Sequence, residues 1–199
     1  MANNVHWNLT FYEINDAAKS KLVELCDRVR TDGEYLWFSD LFVDGEELTY
    51  EQSEKYSWTT EHIGPKWCYF EEMDTDEMIF SGESAWSAPE NGVVKLLQIL
   101  EEYDPKIVTS LVYEDEMPNF VGASVYHGSE CYDSYEDDWN EILERVCEEV
   151  EELTGKYDAD EGEWADEESE DLFRENIWEI TGNAQWQFVH DITNLIKNE

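Results

Sequence analysis

Apolar and polar positions along the chain follow two periods, which together predict a mixture of strands and helices. Residues 5–14 alternate between apolar and polar side chains, the pattern of a half-buried strand. Asn15 or Asp16 can then cap a helix, because a side-chain oxygen there accepts hydrogen bonds from the first free N–H groups. The apolar face predicted for this helix consists of Leu22, Leu25, Cys26 and Val29.

Residues 66–126 carry the clearest pattern in the sequence. Short β-branched and aromatic runs separated by turn residues predict four strands, at 66–73, 78–86, 107–113 and 120–126. The first two are expected to pair as a hairpin around the turn at 74–76. Gly122, inside the last strand, predicts a bulge or a close approach of the backbone.

A helix with a regular apolar face is predicted between the second and third of these strands. Its face consists of Val93, Leu96, Leu97 and Leu100, at spacings of three and four. Ser87 is expected to cap this helix, and Pro89 suits its first turn, where a missing N–H costs little. The helix is expected to end before Pro105, because the residue preceding a proline is disfavoured in the α conformation.

Residues 33–65 fit neither period well. Residues 35–38 and 41–43 could form short strands or an aromatic loop, and residues 48–58 are aromatic and acidic without a clear period. We therefore expect an insertion that packs its aromatic side chains on the core.

The element order predicts an α+β fold. Its first six elements match the split βαβ arrangement, a ferredoxin-like antiparallel sheet with two helices on one face. We assign this domain to residues 1–130, with the insertion at 33–65. Residues 131–199 are predicted to form an acidic helical extension packed on it, whose last two helical faces are separated near Gly182.

The net charge changes this picture most. The chain of 199 residues has 50 acidic and 12 basic residues, a formal net charge of −38. Such a surface repels phosphate groups, so direct binding of nucleic acid or of an anionic membrane is not expected. A basic partner protein, metal cations and simple solubility all fit this charge. Salt adaptation ranks lower, because Glu outnumbers Asp and Lys outnumbers Arg.

The acidic residues are densest in the C-terminal third. Between Asp133 and Glu175 there are 20 acidic and three basic residues. We predict that a basic host protein binds this region, which could imitate the charge of a nucleic acid. The carboxylates chosen for this contact are Glu141, Glu144, Glu148, Glu149, Glu152, Asp158 and Asp160.

Three short segments resemble a known family. They are residues 64–67 (Gly-Pro-Lys-Trp), residues 80–89 (ending Ala-Trp-Ser-Ala-Pro) and residues 113–122 (ending Asn-Phe-Val-Gly). In this order they resemble the YubB-type ferredoxin-like domain family of phage and plasmid proteins, over about residues 5–128. The resemblance implies the fold and an origin on a mobile element, and it implies no catalytic residues. The acidic C-terminal third departs from the family.

No catalytic, cofactor or metal motif can be recognised in the sequence. The region from Asp158 to Gly162 has glycine at the fifth position of a calcium loop, where an oxygen ligand is needed. Four scattered cysteines without a CxxC pair favour small reduced thiols over disulfides or zinc. With no apolar run of transmembrane or signal-peptide type, these thiols indicate a cytoplasmic protein, in the host cell if a phage encodes it.

Aromatic residues offer an alternative function. Trp58, Trp67 and Trp86 flank the insertion and the hairpin, where they could form a binding surface or fill the core. The alternative is a protein that binds a small molecule or a metal cation with the sheet face and the insertion. A hydrolase with a carboxylate site ranks last, because no nucleophile and base can be identified. No pattern indicates the oligomeric state.

Overall fold

A computed structural model describes residues 3–29, 31–32, 35–43, 52–117 and 119–198 of the chain. Its strands are β1 (Asn4–Glu13), β2 (Thr31–Asp32), β3 (Tyr35–Trp37), β4 (Cys68–Asp74), β5 (Ile79–Ala85), β6 (Val108–Asp115), β7 (Phe120–His127), β8 (Glu130–Asp138), β9 (Tyr157–Asp158) and β10 (Glu163–Trp164). Its helices are α1 (Asp16–Cys26), α2 (Gln52–His62), α3 (Glu90–Glu101), α4 (Trp139–Glu149) and α5 (Glu167–Lys197), with 3-10 turns at Phe38–Leu41 and Glu151–Leu153.

Eight of these strands form one antiparallel sheet in the order β2-β3-β4-β5-β1-β6-β7-β8. Strands β9 and β10 form a separate short hairpin. The prediction of an α+β protein with an antiparallel sheet is therefore confirmed. The sheet runs through β7 into β8, across the domain boundary placed at residue 130, and that division stays a prediction.

Strand β1 lies inside the sheet, between β5 and β6. Its alternate side chains Val5, Trp7, Leu9 and Phe11 are buried in the largest apolar cluster, which contains the apolar faces of α1 and α3. The Trp7 ring meets Phe38 and Phe70 edge to face, with ring centroids 5.6 and 5.4 Å away. The predicted alternation of β1 is confirmed, because successive side chains of a strand point to opposite faces.

The two helices of this cluster begin differently. Asn15 caps α1, accepting hydrogen bonds from the amides of Ala17 and Ala18 at 3.0 Å. The predicted cap of α3 is wrong, because Pro89 holds the N-cap position and makes no side-chain cap bond. Ser87 lies two residues before this N-cap position. The apolar face predicted for α3 is buried in full.

The region predicted as an insertion contains a helix that the periodicity missed. Strand β3 agrees with one of the two alternatives for residues 35–38, whereas Leu41 lies in a 3-10 turn. Helix α2 faces the protein with buried Thr59 and half-buried Trp58, without an aliphatic stripe, so its period is weak. Residues 33–34 and 44–51 of this region lie outside the described part.

The opposite face of the sheet is covered by α5. Val108, Ala123 and Val125 of β6 and β7 pack there against buried side chains of α5. Buried Gln185 adds polar contacts, because its Nε2 donates hydrogen bonds to the carbonyls of Tyr113 (2.9 Å) and Gly122 (3.1 Å). The sheet therefore has packed layers on both faces.

Helix α5 is continuous through Gly182, so the predicted break there is wrong. A glycine inside a helix costs about 1 kcal/mol relative to alanine. Burial of one large apolar side chain contributes about 1.5–3 kcal/mol. Ile177 and Ile180 before the glycine, and Val189 and Ile192 after it, are all buried. Packing on both sides thus outweighs the local propensity.

Strand β8 was not predicted either. Only Asp137 is buried in it, and the remaining side chains are exposed or half-buried, so the segment lacks apolar alternation. It is a strand because its backbone pairs with β7 from Phe120 to His127. C-terminal to it, α4 buries Ile142 and Val146.

We predict opposite effects of alanine at two glycines. A Cβ at Gly122 would stand 2.5 Å from Cζ of Tyr113, so Gly122→Ala should lower the free energy of unfolding by about 1–3 kcal/mol. No atom of the described residues lies within 4 Å of a Cβ at Gly182, so Gly182→Ala should raise it by about 0.5–1 kcal/mol. Urea unfolding followed by circular dichroism measures both changes. A neutral Gly122→Ala would contradict the close packing.

Candidate functional site

The structure describes all seven carboxylates predicted to bind a partner, and all are exposed. They are distributed over α4, the 3-10 turn that follows it and the β9–β10 hairpin. Glu144, Glu148 and Glu149 border a shallow concavity of about 580 Å³ on the surface of α4. A second concavity, of about 530 Å³, contains Asp158 and Asp160.

Two of these carboxylates also hold local structure together. Glu141 completes a capping box at the start of α4, where its Oε2 accepts a hydrogen bond from the amide of Asp138 at 2.8 Å. Asp158 stabilises its own turn by accepting hydrogen bonds from the amides of Asp160 and Glu161. These two residues are therefore poor choices for mutations meant to test binding alone.

All three basic residues between Asp133 and Glu175 are paired within the same segment. Arg145 binds Asp137 (2.5 Å), Arg174 binds Glu170 (2.5 Å) and Lys156 binds Asp166 (3.2 Å). Hydrogen bonds from Ser169 and the neighbouring Lys156 lower the pKa of Asp166 to about 2. The remaining acidic residues of this segment far outnumber its cations, so its surface is strongly negative near neutral pH.

A cavity of about 280 Å³ opens at the N-terminal end of α3, and we call it the α3 cleft. Residues from three segments that are far apart in the sequence, 64–67, 80–89 and 113–122, contribute to it. The residues that line it are Ile63, Gly64, Trp86, Ser87, Ala88, Glu90, Asn91, Tyr113, Phe120 and Glu136.

The wall of the α3 cleft follows from the sheet register. Tyr113, Gly122 and Glu136 occupy paired positions on β6, β7 and β8. Because Gly122 has no side chain, the Tyr113 ring lies across β7 and its hydroxyl donates a hydrogen bond to Oε2 of Glu136 at 3.0 Å. The sequence signal at Gly122 thus reflects the close approach of a ring, and the nearest shift in register lies at Val125 and Tyr126.

Burial and two carboxylates control the chemistry of this wall. Burial, the adjacent Glu136 and then Glu90 raise the pKa of Tyr113 well above its ordinary value. Buried Ser124 donates a hydrogen bond to Oε1 of Glu90 at 3.2 Å. Tyr113 is therefore a protonated hydrogen-bond donor near neutral pH, and it cannot serve there as a base.

The three tryptophans predicted as an aromatic surface lie in different environments. Trp58 is half-buried beside Phe42 and His62, and the Lys95 ammonium lies 5.0 Å from its ring centroid. Trp67 stacks on Tyr69.

Trp86 is the one member of this set that lines the α3 cleft. It is 57% exposed and has a left-handed φ of 72°, an uncommon backbone conformation for a residue other than glycine. Its amide donates a hydrogen bond to the carbonyl of Asn3. This bond fixes the backbone of Trp86, whose side chain lines the cleft.

Sequence reasoning did not select Glu90, Asn91, Tyr113 or Glu136 as site residues. Glu90, Asn91 and Tyr113 lie in or beside the segments of the resemblance, so that pattern offered a signal for them. No sequence pattern pointed to Glu136, because its place in the cleft depends on the pairing of β8 with β7.

The described residues contain no group of three or more His, Cys, Asp or Glu side chains that could hold a metal ion. All four cysteines are free; Cys26 and Cys68 are buried, whereas Cys131 is exposed and Cys147 half-buried. Burial raises the pKa of Cys26 to about 11, which keeps that thiol protonated.

Comparison with known proteins found no matching family model, no matching curated protein and no matching solved structure. Within the ranges that the structure describes, no helix is long and apolar enough to cross a lipid bilayer.

Replacing Tyr113 by Phe is expected to make the alkaline loss of stability less steep. The folded chain keeps the Tyr113 proton above pH ~10, where an unfolded tyrosine has released it. Its stabilising contribution is therefore complete below that pH and decreases above it. Between about pH 10 and 12, the free energy of unfolding should therefore fall more steeply with pH in the wild type than in Tyr113→Phe. The two slopes should differ by up to about 1.4 kcal/mol per pH unit.

Urea unfolding at a series of pH values measures these slopes. Glu136→Gln removes the adjacent charge but leaves Tyr113 buried, so the pKa of Tyr113 should be raised less. The free energy of unfolding should then fall steeply over a narrower pH range. Equal slopes for wild type and Tyr113→Phe would show that Tyr113 does not titrate as described.

Proposed function

We propose that this protein binds a basic partner protein through the exposed carboxylates of α4 and the β9–β10 hairpin. The observation that carries the proposal is that all three cations between Asp133 and Glu175 are paired inside a segment with 20 acidic residues. Its excess carboxylates face water, where they can meet Lys and Arg side chains of another molecule.

The charge acts mainly on the rate and the selectivity of association. A surface of one sign attracts a partner of the opposite sign over about one Debye length, ~10 Å at 0.1 M salt. A partner that normally contacts phosphates offers the complementary Lys and Arg residues, so the protein would act as a charge mimic of nucleic acid. Binding of this kind is fast and sensitive to salt.

We further propose a ferredoxin-like fold of the YubB type, a phage or plasmid origin, and action in the cytoplasm of the host cell. The strand order β4-β5-β1-β6, with α1 in contact with α3, supports the fold. The meeting of all three resembling segments at the α3 cleft supports the family. Origin and compartment are inferred from the resemblance and the free thiols.

Neutralising one acidic face should weaken partner binding more than the same change elsewhere. The test variant carries Glu→Gln at Glu144, Glu148, Glu149 and Glu152. The matched control carries Glu→Gln at Glu71, Glu72, Glu77 and Glu102, which are also exposed. An exposed ion pair contributes about 0.2–1 kcal/mol, so losing four should weaken binding at least about fourfold at low salt.

The partner for this measurement comes from a bacterial lysate, captured at low salt and released by a salt gradient. A single basic, nucleic-acid-handling protein released at moderate salt, and displaced by duplex DNA, is the expected result. Titration calorimetry then compares the two variants. A mixture of ribosomal proteins, or equal affinities for both variants, would mean that the acidity serves only solubility.

A second candidate function is the binding of a small organic cation in the α3 cleft. The observation in its favour is that Glu90, Glu136 and the exposed indole of Trp86 line one cavity. Carboxylates form charge-assisted hydrogen bonds with guanidinium or ammonium groups, and an indole face attracts the same cations. Tyr113, Phe120 and Glu136 of the sheet line this cleft together with Ile63 and Gly64 of the insertion. These are the two parts of the chain that the sequence suggested for a small ligand.

Ethylguanidinium should therefore bind the α3 cleft, whereas its neutral counterpart N-ethylurea should not. Titration followed by NMR is expected to shift the Trp86 indole N–H saturably, with a dissociation constant of about 1 mM or above. Glu136→Gln should weaken this binding, and Glu130→Gln, exposed at the start of β8, should leave it unchanged. Equal shifts with both compounds would refute a cation site.

A further inference from the structure

We propose that a pocket between α5, the start of α4, the β9–β10 hairpin and the β6–β7 connection anchors one apolar side chain of the basic partner. This inference rests on the proposed function and names the contact that gives it specificity. The pocket, which we call the α5 pocket, has a volume of about 470 Å³. Its apolar wall consists of Met117, Trp139, Trp164, Phe173, Ile177 and Trp178.

The floor of the α5 pocket is preorganised by aromatic contacts. Phe173 meets Trp139 and Trp164 with ring centroids 5.5 and 5.0 Å away. Tyr157 meets both tryptophans from the hairpin side, at 6.3 and 5.0 Å. These contacts hold the rings in place before any ligand arrives, which lowers the entropic cost of binding.

The rim of the α5 pocket leaves apolar surface in water. Met117 is 63% exposed and Trp178 is 41% exposed. Aromatic residues and methionine are enriched at protein interfaces, where a few anchors carry most of the binding energy. An apolar pocket of this size beside exposed rings therefore fits a side chain supplied by another molecule.

Charge around the α5 pocket identifies the occupant. Glu170 lies on the rim, and Glu167, Asp171 and Glu175 are exposed on the same helix. Arg174 on the rim is paired with Glu170. The complementary partner is a protein segment that carries an apolar side chain between Lys or Arg residues. A second copy of this chain and an anionic lipid surface are both repelled by a net charge of −38.

The apolar contact differs from the carboxylate contacts in its response to salt. Screening weakens exposed charge pairs as salt rises, whereas burial of an apolar side chain persists or strengthens. The α5 pocket should therefore supply the part of the affinity that remains at high salt.

Two peptides of equal length and charge test this inference. Both are rich in Lys and Arg and labelled with fluorescein; one has Leu at its centre and the other Ala. Fluorescence anisotropy should show the Leu peptide binding the wild type about tenfold more tightly. Trp178→Ala should abolish this ratio. Trp186→Ala, which removes a 63% exposed tryptophan from the same helix outside the pocket, should preserve it.

The outcomes separate this inference from the proposed function. Salt-sensitive binding of both peptides with equal affinity, or a ratio unchanged by Trp178→Ala, would overturn the anchor and leave the basic partner standing. Binding of neither peptide at low salt would overturn both. Sedimentation of the free protein provides a further test, because self-association lost in Trp178→Ala would assign the pocket to a second copy. Circular dichroism should give equal melting temperatures for the two variants.

Discussion

Mutual repulsion between carboxylates is the main electrostatic force that the folded structure has to overcome. A net charge of −38 opposes any compact state. The chain offsets it by burying apolar side chains on both faces of one sheet, against α1 and α3 on one side and α5 on the other. Each large buried side chain contributes about 1.5–3 kcal/mol, several times the value of an exposed ion pair. Most carboxylates accordingly remain in water.

The two packed layers meet at one paired position of the sheet. On one face, the Tyr113 ring lies over Gly122 and reaches Glu136. On the other face, Gln185 of α5 binds the carbonyls of the same Tyr113 and Gly122. A register slip of one residue would turn every side chain of a strand to the opposite face. The wall of the α3 cleft and the docking of α5 on the sheet therefore depend on the same strand register.

In the proposed binding mode, charge and apolar surface have different roles: charge attracts the partner, and the apolar pocket selects it. Carboxylates act over about a Debye length and bring basic molecules close, but they discriminate poorly among them. The α5 pocket acts only on contact, and its aromatic floor sets a size and shape for what enters. Glu170 lines the pocket and further exposed carboxylates lie on the same helix, so one partner segment can use both.

Elements with a strong apolar period could be predicted from the sequence alone. Strand β1, helix α3 and the strands between residues 66 and 126 were located in this way, and the charge needed no structure at all. Helix α2, strand β8 and the continuity of α5 through Gly182 were missed. Each of these depends on partners distant in sequence: aromatic neighbours for α2, backbone pairing with β7 for β8, and packing on the sheet for α5.

The sites divide in the same way. The exposed carboxylates could be selected from composition and helical spacing, because a charged side chain opposite an apolar stripe stays in water. The α3 cleft joins Trp86, Tyr113 and Glu136 through strand register, and the α5 pocket joins residues from four separate parts of the chain. Local sequence determined which side chains are charged or apolar. Only the tertiary structure decided which of them share a cavity, because register and helix docking are set by contacts between distant residues.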